Sequence, residues 1–308
     1  MNGSSTEIAL HALRGSGLLG FMAALGTLRT VSELPEGQNT RMQWTASGGS
    51  YCPILQCTPE FDESVLLDRL HAALSAFAGH AAITIDRDLK IARPVFRKLA
   101  QSAAADFLER KDAVAAGMTA AFGCDAIGKE DGTIEDTAFR TMSGAGHQHF
   151  LEFMNILAKE TTIEQLKEAI FGPWRYRDPS PIMRWDSEDD RRYALRWDEP
   201  SKDPVRTVRG ANRLAIAALP LFPVVPLAHN SVGTAGFKGR GSRDTFVTWP
   251  LWSGWLTLDA VRSCLGLPDL QSDTCTAASL SSRGILAIYR SQRITLGKYR
   301  NFTPTRSL

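Results

Sequence analysis

The sequence predicts an α+β fold, with mixed helices and antiparallel strands arranged in two loosely separated subdomains. Three observations carry that expectation. Apolar residues recur at helical spacing through much of residues 1–172. A loosely alternating run from Thr40 to Cys57 contains Gly48-Gly49, the signature of a hairpin turn. Beyond Gly172 helical periodicity gives way to prolines, tryptophans, charges and short β-branched or aromatic runs. Residues 1–172 are therefore expected to form a mainly helical part with a short β start. Residues 173–308 are expected to form a Trp/Pro-rich, basic α+β part.

In chain order, Glu7 to Leu13 reads as a short strand. Gly15-Ser-Gly-Leu-Leu-Gly20 then opens a helix carrying Phe21, Leu25, Leu28 and Val31, stopped by Pro35. After the hairpin, Phe61, Val65, Leu66, Leu70, Leu74 and Phe77 form a helical stripe with an acidic first turn. Pro94 to Phe122 reads as one long alanine-rich helix, because Pro94 suits a first helical position and Gly123 suits the end. Gly128 to Thr133 is a polar break. Gly144–Leu157 and Thr162–Phe171 are further helices, the second with Glu164 in its first turn. In the basic part, Val205–Leu219 and Leu258–Leu265 read as helices. Phe246–Trp252, Gly284–Arg290 and Ile294–Tyr299 read as strands.

A length of 308 residues, 44% hydrophobic and 22% charged, suits a globular protein with a large core. No apolar run reaches the roughly 20 residues of a membrane span; Leu214–Leu227 is interrupted by Pro220, Pro223 and Pro226. Cys52, Cys57, Cys124, Cys264 and Cys275 lack CxxC spacing and read as reduced thiols, so a cytoplasmic location without membrane contact is expected. The net charge of +2 conceals a division. From Val205 onward thirteen Arg or Lys face four Asp or Glu, a net of +9, which leaves −7 on the first 204 residues. A basic face on an acidic body is the electrostatic footprint of nucleic-acid binding.

Within the basic third, Gly233-Thr-Ala-Gly-Phe-Lys-Gly-Arg-Gly-Ser-Arg243 sets Lys238, Arg240 and Arg243 among four glycines, beside Phe237. Cations on so pliant a backbone can follow a phosphate strand, and the aromatic can stack on a base. A solvated loop is the competing reading. A second basic run, Arg283 to Arg306, adds Arg290, Arg293, Lys298 and Arg300, interleaved with Tyr289, Tyr299 and Phe302. Phe237, Lys238, Arg240, Arg243, Arg290, Arg293, Lys298 and Arg300 are therefore the expected nucleic-acid-binding residues.

Other motifs point elsewhere. Gly15-x-Gly17-x-x-Gly20, with Glu33 downstream, matches the dinucleotide fingerprint, but the polar Arg41-Met-Gln-Trp44 is a poor second parallel strand. Arg184-Trp-Asp186 recurs as Arg196-Trp-Asp198, and eight acids fall between Asp178 and Asp203. Those acids alternate with Arg184, Arg191, Arg192 and Arg196, which favours a salt-bridged hairpin over a two-metal site. His147 and His149 stand two apart, off any shared helical face, and suit capping or packing. No catalytic residue, metal or cofactor is expected. The alternatives are a metal-dependent nuclease using residues 178–203 and, behind it, a dinucleotide-binding enzyme.

Several passages resemble a known family. Leu13-Arg-Gly-Ser-Gly-Leu-Leu-Gly-Phe-Met-Ala-Ala-Leu-Gly-Thr-Leu-Arg29 looks like the opening of proteins of the type I-G (formerly I-U) CRISPR branch. Phe171-Gly-Pro-Trp-Arg-Tyr-Arg-Asp178, running into Arg184-Trp-Asp and Asp190-Arg-Arg-Tyr-Ala-Leu-Arg-Trp197, is similar to a compact protein of those loci. So are Arg206-Thr-Val-Arg-Gly-Ala-Asn212 through Leu221-Phe-Pro-Val-Val-Pro226, and Gly297-Lys-Tyr-Arg-Asn-Phe-Thr-Pro304. The resemblance implies a large-subunit-like component of an RNA-guided Cascade complex in antiviral defence. Such a subunit sits at the 5′ end of the guide, recognises the PAM and helps hold unwound DNA. Its implied partners are guide RNA, double-stranded target DNA, other Cascade backbone subunits and a recruited helicase-nuclease.

Overall fold

A computed structural model of the chain describes residues 5–37, 39–57, 62–110, 113–142, 148–187, 205–229, 231–239, 244–296 and 299–308. Strand β1 (Thr6–Ala9) leads through a glycine turn into helix α1 (Leu18–Ser32), whose first turn follows the extended Gly17. Strands β2 (Arg41–Ser47) and β3 (Ser50–Cys57) pair in register with Ser47 opposite Ser50. Gly48 and Gly49 both have positive φ, at 56° and 77°, which a two-residue hairpin loop of this hand requires. Asp62 caps helix α2 (Glu63–Ser75) by accepting from the Val65 amide at 2.7 Å, and α2 buries Leu66, Leu67, Leu70 and Leu74.

After the single turn α3 (Ala81–Thr84), the stretch read as one helix is two: α4 (Arg93–Arg110) and α5 (Ala113–Phe122). The division has a tertiary cause. Helix α5 buries Ala115, Met118, Ala121 and Phe122, whereas the far end of α4 leaves Phe107 and Leu108 exposed. A straight continuation would have carried the apolar face of α5 away from the core. Instead α5 packs against α4 and on the turn at Leu219–Leu221. The polar break at 128–133 proves to be the turn of a hairpin, β4 (Gly123–Gly128) and β5 (Ile134–Asp136), with Gly132 at φ 78°. Helices α6 (Phe150–Glu160) and α7 (Ile163–Ile170) follow. A reciprocal cap between Thr162 and Gln165 starts α7.

The basic part supplies α8 (Arg209–Ala217), then β6 (Val224–Leu227), β7 (Ser231–Thr234), β8 (Phe237–Lys238) and β9 (Thr245–Trp252). Next come β10 (Leu256–Thr257), α9 (Leu258–Leu265), β11 (Ile285–Leu296), β12 (Tyr299–Phe302) and β13 (Arg306–Ser307). The two strands expected across 284–299 are largely one 12-residue strand, because Ser291, Gln292 and Arg293 stay paired with β9 at Val247, Phe246 and Thr245. All named pairings are antiparallel. They build a four-stranded sheet β1-β3-β2-β10, a sheet β12-β11-β9-β8 with β13 on β11, and the hairpins β4-β5 and β6-β7. The architecture is α+β, as the sequence predicts.

The two expected parts, 1–172 and 173–308, share one sheet and one core. Strand β10 completes the sheet begun by β1, β2 and β3, and one contiguous apolar cluster joins residues from both parts. Phe21 stacks between Trp44 and Trp249, at ring-centroid distances of 6.0 and 5.6 Å. The Trp249 indole donates to the Gly15 carbonyl and that of Trp252 to the Met42 carbonyl, each at 2.8 Å. Helix α1 lies at the centre, with every residue from Leu18 to Val31 buried. Its far side meets α8 so closely that a Cβ on Gly26 would fall inside the Leu214 carbonyl. Two of the three fingerprint glycines have the same explanation: a Cβ on Gly15 would stand 2.6 Å from Leu251 and 2.8 Å from Trp44, and one on Gly20 would stand 2.5 Å from the Arg14 carbonyl. Strand β1 has only the antiparallel β3 beside it, so the parallel unit that a dinucleotide site needs is absent among the described residues.

Gly26→Ala is therefore expected to destabilise the protein by about 2 kcal/mol, the overpacking cost exceeding the ~1 kcal/mol helix propensity alanine gains. Urea unfolding should show a lower midpoint at unchanged slope. An unchanged midpoint would show that α1 and α8 can part without penalty.

Candidate nucleic-acid interface

Strand alternation divides the expected cluster between the two faces of the five-stranded sheet. Phe237 lies opposite Val247, which lies opposite Ser291; Lys238 lies opposite Phe246, which lies opposite Gln292. Arg290 and Arg293 are three apart on β11 in continuous register, so they too point to opposite faces. Phe237, Arg293 and Arg300 share one face, and Lys238 and Arg290 share the other. Arg240, Arg243 and Lys298 lie outside the described residues.

On the first face a pocket of about 330 Å³ opens between the sheet and the β4-β5 and β6-β7 hairpins, with Arg293, Arg300, Phe237 and Lys129 in its lining. Gly233 and Gly239 also border it, so the glycine-rich segment enters this pocket from its described end. Arg293 is 9% exposed and donates from Nη1 to the Ala138 carbonyl at 2.9 Å, while its Nε has no acceptor. Burial, then the neighbouring Arg300, pushes the Arg293 guanidinium down to about 10, which still leaves it a cation at neutral pH. Arg300 donates to the Arg140 carbonyl at 3.2 Å. Neither arginine is ion-paired among the described residues. Phe237 meets Phe139 edge-on at 4.8 Å and Phe302 at 6.3 Å. Its ring is thus a wall of the pocket, committed to the core, and not the free stacking platform expected from the sequence.

The opposite face uses its cations differently. Arg290 is 4% exposed and donates to Thr248 Oγ1 at 2.8 Å and to the Leu270 and Ser272 carbonyls at 3.1 and 2.9 Å. It fastens the turn at Pro268–Gln271 to the sheet and presents no guanidinium to a phosphate. Lys238 pairs with the exposed Asp273 at 2.7 Å, a contact open to solvent and exchangeable for another anion.

Beneath the pocket is an ionic network that sequence reasoning missed. Arg140 is buried and donates from Nη1 to Asp136 and from Nη2 to Asp88, each at 2.7 Å; Lys129 also pairs with Asp136. Asp136 and Arg140 stand four apart, a spacing that signals a pair only on a helix, and here Asp136 ends β5 with Arg140 beyond it. Burial alone would raise the Asp136 carboxyl. Arg140 and Lys129 reverse that and hold it below its ordinary value.

Where it is described, the acidic segment hydrogen-bonds its neighbours. Asp178 accepts from Gln165 at 2.7 Å and from the Arg209 amide at 2.8 Å, fixing the start of α8. Asp186 accepts from the Tyr176 hydroxyl at 2.9 Å, and the wholly buried Trp185 donates to the Phe139 carbonyl at 2.9 Å. Residues 188–204, including the second Arg-Trp-Asp, lie outside the described residues, as does His147; His149 precedes α6. Among the described residues no group of three or more His, Cys, Asp or Glu side chains is placed to hold a metal. Burial pushes the Cys57 and Cys264 thiols up to about 11, so both stay protonated at neutral pH. Also among the described residues, no helix is long and apolar enough to cross a membrane.

Asp136→Asn should cost about 3–5 kcal/mol, since it leaves the buried Arg140 short of a counter-charge. Because the Asp136 pKa is depressed by folding, its contribution is present above the unfolded carboxylate value of about 3.9 and is lost as pH falls through the lower folded value. The stability gap between wild type and Asp136→Asn, measured by urea unfolding at several pH values, should therefore narrow below about pH 4. A gap independent of pH would mean that the carboxylate charge carries none of it.

Comparison with protein families, with curated proteins and with solved structures finds no significant match to this chain.

Proposed function

We propose that the chain is a non-catalytic, nucleic-acid-binding subunit of an RNA-guided DNA surveillance complex. In this reading the pocket of Arg293 and Arg300 grips backbone phosphates, and the adjoining Gly233–Arg243 segment reaches the DNA. The observation that carries the reading is the pair itself. Two guanidiniums on adjacent antiparallel strands, without carboxylate partners among the described residues, border a pocket that runs into a glycine-spaced basic segment. A desolvated, unpaired guanidinium is poised for charge-assisted bonds to a phosphate. Its wall of Phe237, backed by the buried Phe302, keeps the site shaped while leaving base identity unread.

The assignment to a Cascade-like complex rests on the resemblance of the N-terminal helix and of the Trp- and Arg-rich passages to the type I-G branch. Guide RNA pairing supplies sequence specificity in such a complex, so its protein components need to hold backbone and to read only a short motif. Lys238, Arg240 and Arg243 are the side chains proposed to read the PAM, through guanine edges in the major groove or by minor-groove insertion. The 5′ end of the guide, unwound target DNA, the backbone subunits and a recruited helicase-nuclease are the proposed partners.

Target-DNA affinity of the assembled complex, measured across a salt series and a PAM library, tests this. Arg300→Ala is expected to lower the salt slope by about 0.7–0.9, the share of one phosphate contact. The triple variant Lys238→Ala, Arg240→Ala, Arg243→Ala should weaken binding severely, and one of its members should broaden PAM choice, at a cost of about 1–3 kcal/mol for a base-edge contact. Arg290→Ala should lower stability and leave the slope alone. An unchanged slope in both Arg300→Ala and the triple variant would refute the interface, and so would the absence of any co-purifying guide RNA.

A further inference from the structure

A second pocket, of about 190 Å³ and partly open to solvent, lies where α1, α2, α5 and α8 meet. Its lining is apolar at Leu74, Phe77, Met118 and Ile216, and its polar members are Thr30, Glu33 and two arginines. Arg29 is 4% exposed; Nη1 donates to the Ala217 carbonyl and Nη2 pairs with Glu33, both at 2.9 Å. Arg213 is 3% exposed, donates to the Leu74 carbonyl at 2.7 Å and lies over the Phe77 ring at 5.5 Å. It has no carboxylate partner among the described residues. The Nε atoms of both arginines are buried without an acceptor.

The charges do not balance. Two buried guanidiniums face one carboxylate, and the charge of Arg29 adds to the cost of burying Arg213. Burial, then Arg29, pushes Arg213 down to about 9, yet at neutral pH it still carries its proton. The contacts it has explain its placement, since the Leu74 carbonyl belongs to the negative end of α2 and the Phe77 ring offers a negative face. Both are partial charges. A full anion is the group that would offset the surplus charge.

We propose that this pocket binds a small apolar carboxylate, its anionic group between Arg29 and Arg213 and its hydrocarbon body against Leu74, Phe77 and Met118. The size fits: an apolar cavity of about 150 Å³ takes up benzene, so the pocket here has room for a single ring or a comparable alkyl chain. The site is separate from the pocket of Arg293 and Arg300, and the inference does not depend on nucleic-acid binding.

Calorimetric titration of the full chain with sodium octanoate and sodium benzoate tests it, with 1-octanol, benzyl alcohol and sodium acetate as controls. At least one of the two carboxylates should bind saturably, with Kd at or below about 1 mM and at least about tenfold tighter than its alcohol or acetate. Arg213→Gln should weaken that binding about tenfold or more. Because that variant can also disturb folding, Ala73→Trp provides an independent check: it plugs the mouth from α2, keeps both arginines, and should abolish uptake. The proposal is overturned if neither carboxylate binds, if the alcohols bind as tightly, if acetate alone suffices, or if Ala73→Trp binds like wild type.

Discussion

Helix α1 is buried around its whole circumference, and every neighbour has to satisfy that constraint. A helix that is apolar on all sides needs cover on all sides. One flank takes the aromatic layer of Trp44, Trp249 and Trp252, drawn from both larger sheets. The opposite flank takes α8, brought in at backbone distance by Gly26. Polar groups inside this cover are held by named acceptors: Thr27 by the Ala23 carbonyl, Arg29 by Ala217 and Glu33. The indoles of Trp249 and Trp252 likewise find backbone carbonyls, while the buried Trp44 indole nitrogen has no acceptor among the described residues.

Much of this arrangement was legible in the sequence where the signal was local. The Gly48-Gly49 hairpin, the acidic start of α2, the Thr162 start of α7 and α9 are fixed by turn chemistry and short-range periodicity, and those elements stand where the residues place them. What stayed hidden is non-local. Nothing in Leu256-Thr257 announces that it will pair with Arg41-Met42, yet that pairing joins the two halves into one core. The break between α4 and α5 is likewise set by where the core lies, because alanine-rich residues on both sides favour helix equally.

The basic site shows the same limit at finer scale. Charge counting identified the region correctly as a concentration of cations, but not which of them are available. Arg290 and Arg293 look equivalent in the sequence, three apart in one basic run. A strand with a period of two sends them to opposite faces, where one becomes a clamp on the Pro268–Gln271 turn and the other lines a pocket. The interior pair Arg29 and Arg213 gave no signal at all, since each sits in an apolar helical run where a lone arginine reads as an exposed face.

The late strand β10 also bears on how the chain acquires its structure during synthesis. The first sheet is left with an unpaired β2 edge until Leu256-Thr257 has emerged, and α1 lacks α8 and the Trp249 layer until residues 209–249 have. Contacts of such long sequence separation are costly to close and slow folding. An apolar helix that waits this long for its cover is exposed to chaperones and to misassembly in the interval. The N-terminal half is therefore made first but receives its cover from later residues, to which the Trp249–Gly15 and Trp252–Met42 bonds tie it.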